Sequence, residues 1–237
     1  MSGEADGPAY YVVSDLHIGG DEQLEHVEFL EEFLALLERL ENTDENAELV
    51  INGDAFGLWE FTTLEGIEKF DALVDRYPAL FEQFRATGEN VRITLLPGNH
   101  DHELAAYDEY VARFAEYNVD LVQEQSVVRP LDHRVIHFEH GNQHDPNNRF
   151  EDFGNPHDKP LGYYYNTLVT SRAGQVSDLG RRNWLKDIQA VTPTERVPVW
   201  FLSKYFYNEM HPLLRYAAVP FLLLFNLSVL LAVLVGL

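Results

Sequence analysis

The chain has no cysteine. That excludes a disulfide framework and a thiolate metal site, so any bound metal must use His, Asp, Glu or Asn. Positive charge is scarce too: 17 basic residues stand against 39 acidic ones, a formal net charge of -22. Only Lys69, Lys159, Lys186 and Lys204 are lysines. Over most of its surface such a chain repels nucleic acid, and at low salt its self-repulsion strains the compact state. The acidic, lysine-poor balance resembles that of proteins from a high-salt cytoplasm, where screening removes the strain; an ordinary acidic protein is the second reading. There is no Walker loop, internal repeat or low-complexity linker, and Met1 to Pro8 is too short, polar and acidic for a signal peptide. At 237 residues the chain can form one large α/β domain or two small ones.

The charge is unevenly spread. Residues 1–60 hold sixteen acids and one base, Arg39, whereas residues 181–216 hold six bases (Arg181, Arg182, Lys186, Arg196, Lys204, Arg215) and three acids. Directly after that reversal, Ala217–Leu237 is 21 residues without a charge. As a helix it is about 31 Å long, close to the hydrocarbon thickness of a bilayer. Trp200, Phe201, Tyr205, Phe206, Tyr207 and Tyr216 lead into it like an interfacial belt. A single-pass membrane helix over 213–237 is therefore expected ahead of a buried core helix, with the base-rich amino-terminal side in the cytoplasm. Pro220 fits near its start, and Asn226 and Ser228 are costs that a neighbouring helix could relieve.

Chemistry-bearing residues collect where short apolar runs end. Tyr10 to Ser14 reads as a strand running into Asp15-Leu16-His17. Side chains two apart on an extended segment share a face, so a carboxylate and an imidazole can grip one cation there. Leu49-Val50-Ile51 ends in Asn52-Gly53-Asp54, which places a carboxylate where it could bridge two ions. Val91 to Leu96 is stopped by Pro97-Gly98 and followed by Asn99-His100-Asp101, at a strand's carboxyl end where open α/β sheets place ligands. Asn99 offers a carbonyl oxygen, His100 a proton donor or metal ligand, and Asp101 a carboxylate to orient the imidazole. Strands are also expected over Val119–Val122, Ser126–Arg129 and Val135–Phe138, the last ending at Glu139-His140-Gly141. Helical periodicity predicts helices from an Asp21 cap to about Leu40, from Leu64 to Arg85, and from His102 to Tyr117, the last with Leu104, Tyr107, Val111, Phe114 and Ala115 inward. Any one of these strand ends reads as an ordinary polar turn, but chance explains the ordered set badly.

Asp-Leu-His, Gly-Asp, Gly-Asn-His-Asp and His-Gly, in that order over about residues 10–145, resemble the calcineurin-like metallophosphoesterases. Among these, the spacing is most similar to UDP-2,3-diacylglucosamine pyrophosphohydrolases. Position by position, the resemblance implies that Asp15 and His17 bind a first metal, that Asp54 bridges two, and that Asn99 and His140 bind the second. His100 would face the substrate as acid or phosphoryl-oxygen donor, with Asp101 steering it. The implied fold is an α/β metallophosphoesterase-type αββα sandwich with a helical insertion. Its parts are a leader over 1–9, a core over 10–150, a lid or membrane-proximal segment over 151–212, and the span over 213–237.

Two departures stand out. Gly57 occupies the third position after Asp54, where the family often has an acid, and no Gly-His-x-His follows His140. His144 is the best local substitute for those last histidines. The apolar ending leaves two alternatives, a tail-anchored variant with a depleted site or a sequence that stops before the final motif, the latter preferred. Asn99, Arg149 and Arg172 are candidates to hold the substrate, and Tyr163-Tyr164-Tyr165 to line an acyl or polyprenyl groove. The expected activity is hydrolysis of phosphoester or pyrophosphate bonds, on a membrane-associated or lipid-linked phosphorylated small molecule. The expected cofactor is two divalent ions, Mn2+ foremost, with Fe2+, Mg2+ or Zn2+ as alternatives. The competing readings are a nucleotide or protein phosphatase with a membrane tail, and a catalytically depleted membrane scaffold.

Overall fold

Short β-branched runs and longer helical-period stretches alternate along the chain, and they assemble into a parallel sheet with its crossovers. The computed structural model describes residues 7–21, 27–171, 196–200, 203 and 212–235. Two compact units meet in sequence at Ser171 and Arg172. In the first, β1 (Ala9–Val13), β2 (Ala47–Asn52), β3 (Arg92–Leu96) and β4 (Val119–Leu121) lie side by side in that order, all parallel. Parallel neighbours need crossovers. They are α1 (Leu30–Glu41), then α2 (Ile67–Arg76) with α3 (Pro78–Thr87), then α4 (Glu103–Ala106) with α5 (Asp108–Ala115). Strands added in order with crossovers of one hand put every helix on the same face. One core results, in which Leu49, Ile51, Ile93 and Leu95 of the sheet meet Leu37, Phe70, Phe81, Phe84 and Phe114 of the helices.

Alternate strand residues serve the other face. There Val50 and Leu96 pack on Val127 and Phe138 of an antiparallel hairpin, β5 (Ser126–Leu131) and β6 (Arg134–Glu139). Glu48 of the same face accepts from Arg129 Nε at 2.9 Å and from the Thr94 hydroxyl at 2.6 Å. Neither charge would stay buried without the other, so the pair clamps the hairpin to the sheet. The layers are thus α, β and β; the outer helical layer of an αββα sandwich is not found among the described residues.

Several element boundaries differ from expectation. The segment from Leu64 to Arg85 forms two helices, because Pro78 opens α3 in the first turn, where its missing N–H costs nothing. The stretch after His102 breaks at Tyr107, whose extended backbone (φ -131°) separates α4 from α5 and leaves its ring largely exposed. Asp21 does not cap α1, which starts at Leu30; its carboxylate takes the Thr62 N–H and the hydroxyls of Thr62 and Thr63 instead.

After the hairpin, α6 (Leu161–Tyr165) runs into a π-helical turn, Asn166–Thr170. The second unit contains α7 (Val197–Trp200) and α8 (Pro212–Val235). On α8 the side chains described between Val219 and Leu231 are all exposed. Asn226 and Ser228 need no neighbouring helix: they donate to the carbonyls of Leu222 at 2.7 Å and Leu224 at 2.8 Å within α8 itself. Among the described residues, no helix is long and apolar enough to cross a membrane. The expected transmembrane helix over 213–237 is therefore not found among the described residues.

Candidate metal centre

The carboxyl ends of β1, β2 and β3 open into three turns, and the first two take a backbone that L-residues rarely adopt. Asp15 (φ 56°), His17 (φ 45°) and Asp54 (φ 52°) are all left-handed, at a cost of about 1–3 kcal/mol each. The first two turns hold each other in place: the N–H groups of Asp15, His17 and Ile18 donate to the carbonyls of Gly53, Asp54 and Ala55. Two glycines admit the side chains that converge there. A Cβ on Gly53 (φ 84°) would lie 2.5 Å from the His140 ring, and one on Gly98 would lie 2.3 Å from Asp54 Oδ1.

Asp54 is the centre of the site and is only 3% exposed. Its Oδ1 accepts the backbone N–H of His100 at 2.7 Å. Its Oδ2 faces His17 Nε2 at 3.6 Å and His140 Nε2 at 3.3 Å. His140 arrives from the hairpin, held by Asn52: its Nδ1–H donates to the Asn52 carbonyl at 3.0 Å, while the Asn52 amide donates to the Glu139 carbonyl at 2.8 Å. That bond fixes the tautomer and frees Nε2 for a metal. Asp15, Asp54 and His140 bring ligand atoms within 4.8 Å of one another, as do His17, Asp54 and His100. Carboxylate oxygen with imidazole nitrogen suits divalent cations, so the donors fit the expected metal. Burial alone would raise the Asp54 pKa, but His100, His140 and His17 around it hold the carboxyl well below its usual range. Burial opposes charge on His140 as well, yet its bond to Asp54 pushes its pKa up to about 9.

The carboxylate on the His100 ring is not Asp101. His100 Nδ1 lies 2.8 Å from Glu60 Oε1, and the ring sits against Trp59 and the edge of His17, with centroids 4.4 and 4.5 Å away. Burial works against its charge, but Glu60 and Asp54 prevail and push the pKa to about 9. Asp101 turns the other way and accepts backbone N–H groups from Gly98 (2.6 Å), Phe56 (3.2 Å) and Asp54 (3.3 Å). It sews the third turn to the second. Burial and the nearby Asp54 raise its pKa to about 7 against those bonds. Glu60 is thus a site residue that motif reading missed; its one signal is to be the lone acid in the apolar run Ala55–Phe61.

A match to the calcineurin-like phosphoesterase family covers residues 9–224. The chain belongs to the calcineurin-like phosphoesterases. No curated protein and no solved structure matches it. As a calcineurin-like phosphoesterase it falls among metal-dependent phosphoester hydrolases, and the two overlapping groups around Asp54 are the residues that could hold the metal.

The remaining candidates of this phosphoesterase scatter. Asn99 is buried in the turn next to His100. Arg149 is spent on Glu151 at 2.8 Å on the surface, and Arg172 lies outside the described residues. His144 does not replace a missing ligand: it is 71% exposed and bonded to Glu139 at 3.0 Å. His102, unremarked in the sequence, stacks on Phe150 at 3.5 Å and accepts the Gly154 N–H at 3.1 Å. It pins the segment after the hairpin onto the third turn. Burial, with the charge of Lys159, lowers its pKa to about 4.

Proposed function

We propose that the chain hydrolyses a phosphoester or pyrophosphate bond of a lipid-linked substrate, using two divalent ions held around Asp54. Supporting the two-ion reading is a single carboxylate oxygen, Asp54 Oδ2, approached by His17 and His140 from different loops at 3.6 and 3.3 Å. Asp15 and His17 would serve one ion and Asn99 and His140 the other, although the ligand atoms within 4.8 Å of one another group Asp15 with His140 and His17 with His100 at Asp54. Mn2+ is the first choice, with Fe2+, Mg2+ and Zn2+ as alternatives. Bound there, the ions would supply the Lewis acidity that acidifies a water and polarises the phosphoryl group. His100, anchored through Nδ1 to Glu60, presents its other nitrogen to the substrate and donates a proton to an oxygen of the reacting group.

The lipid-linked part of the reading rests on exposed apolar surface. Leu161, Tyr164, Tyr165 and Leu168 are exposed on the segment whose Tyr163 stands edge-on to Trp59 at 5.6 Å. Arg181, Arg182, Lys186, Arg196 and Lys204 precede α8 in sequence and Arg215 lies in its first turn, and the described apolar side chains of α8 are exposed. We place the protein on the cytoplasmic face of a membrane, held there by α8. Its substrate would resemble that of the UDP-2,3-diacylglucosamine pyrophosphohydrolases, with a phosphate head group and an apolar tail.

One observation favours a second reading, a depleted scaffold with one weak metal: His144 sits on Glu139 and not at Asp54. Elemental analysis of the purified chain separates the two. Two ions in the wild type, both lost in Asp54→Ala and mainly one in Asn99→Ala, is the expected result. Unchanged metal in Asp54→Ala overturns the assignment, and one ion without turnover in the wild type selects the scaffold.

A further inference from the structure

Two segments far apart in sequence meet at the His100 ring. Glu60 Oε1, 2.8 Å from His100 Nδ1, also accepts from Asn166 Nδ2 at 3.2 Å. Asn166 Oδ1 in turn accepts the Ser171 hydroxyl at 2.9 Å. All three partners are inside: Glu60 is 4% exposed, Asn166 6% and Ser171 0%. The same segment touches the ring's surroundings a second time, through Tyr163 edge-on to Trp59, which covers His100.

The carboxylate has few other constraints. Glu60 Oε2 is buried with no hydrogen-bond partner among the described residues. It fits because residue 57 is glycine, where a Cβ would stand 2.9 Å from Oε2. With one oxygen shared between imidazole and amide, and the other without a hydrogen-bond partner among the described residues, the Asn166 donor helps His100 to hold the carboxylate plane against rotation. A carboxylate that tilts moves its hydrogen bond, and the imidazole follows.

We propose that Asn166, braced by Ser171, is a positioning residue for His100 that acts through Glu60. The segment after α6 is then a working part of the site. This rests on His100 being the proton donor proposed above. The test uses the full chain loaded with Mn2+, with bis(p-nitrophenyl) phosphate as probe. Glu60→Gln should lower kcat about 10–100-fold, and Asn166→Ala by less, both with KM and metal content unchanged. Because Asn166 acts through Glu60, the double variant should be no slower than Glu60→Gln alone. Independent, multiplying losses overturn the proposal, as does a change confined to KM. Ser171→Ala, which removes one hydroxyl, should move kcat the same way and stands in if Asn166→Ala unfolds.

A second readout needs no turnover. In the metal-free protein, the proton NMR signal of His100 Nδ1–H, identified by its loss in His100→Asn, should move upfield in Glu60→Gln and vanish in Glu60→Met. It should move part of that way in Asn166→Ala. If the wild type cleaves no phosphoester yet the signal responds, the activity falls and the positioning stands. A signal indifferent to Asn166→Ala overturns the positioning.

Discussion

Within β2, Leu49, Val50 and Ile51 are buried, apolar and in regular parallel register. Three residues on, Asp54 is equally buried, but it is charged and its backbone is left-handed. The bodies of the strands and the turns that leave them obey opposite rules. Each buried aliphatic side chain of the sheet contributes about 1.5–3 kcal/mol, and each left-handed turn residue costs about 1–3 kcal/mol. The sheet therefore carries the site, and the site does little to hold the sheet.

The largest expected effect tests the turn side of that contrast. His100→Asn should lower kcat about 10²–10⁴-fold while metal content and the unfolding midpoint stay near wild type. Lost metal would move His100 into the ligand set with His17 and Asp54, and lost stability would break the contrast itself. Asp101→Ala is the sharper case, because it sits among the site residues and yet serves the backbone. Its removal strips the acceptor from three N–H donors and should cost about 1–3 kcal/mol in urea unfolding. Full stability with lost activity would return Asp101 to the role of steering His100.

The smallest effect is a pH dependence. His102 has a folded pKa of about 4 against an ordinary 6.5, so protons bind the unfolded chain more readily. Its contribution to stability is whole above pH 6.5 and is lost as pH falls toward 4. Urea midpoints measured from pH 7 to pH 4.5 should decline less in His102→Phe than in wild type. Parallel declines would remove His102 as a cause.

Much of this was legible. Ligand-type residues that follow apolar runs point to Asp15, His17, Asp54, Asn99 and His140, and the structure brings Asp15, His17 and His140 to Asp54; the alternation of strands and helices points to the α/β class. What stayed hidden was tertiary. Asp101 is next to His100 in sequence, which makes it the expected partner of the ring, but the turn sends its side chain to the backbone instead. Glu60 and Asn166 lie 106 positions apart, and no local pattern joins them. Helical periodicity runs straight through Pro78, the residue at which the structure starts a second helix. For α8, composition predicts the helix, but the transmembrane span expected there is not found among the described residues.

The Asn52 clamp on His140 has a kinetic consequence. Three strand ends of the centre belong to one sheet, but His140 belongs to a two-stranded hairpin that rests on Val50, Leu96 and the Glu48–Arg129 pair. Elements with few buried apolar residues open at lower free energy than core strands, and of β5 and β6 only Val127 and Phe138 are buried. Ions held at the centre would then exchange at a rate set by the opening of β5 and β6, with the parallel sheet intact. Bound metal, in closing that door, would slow proton exchange at hairpin amides far from any ligand.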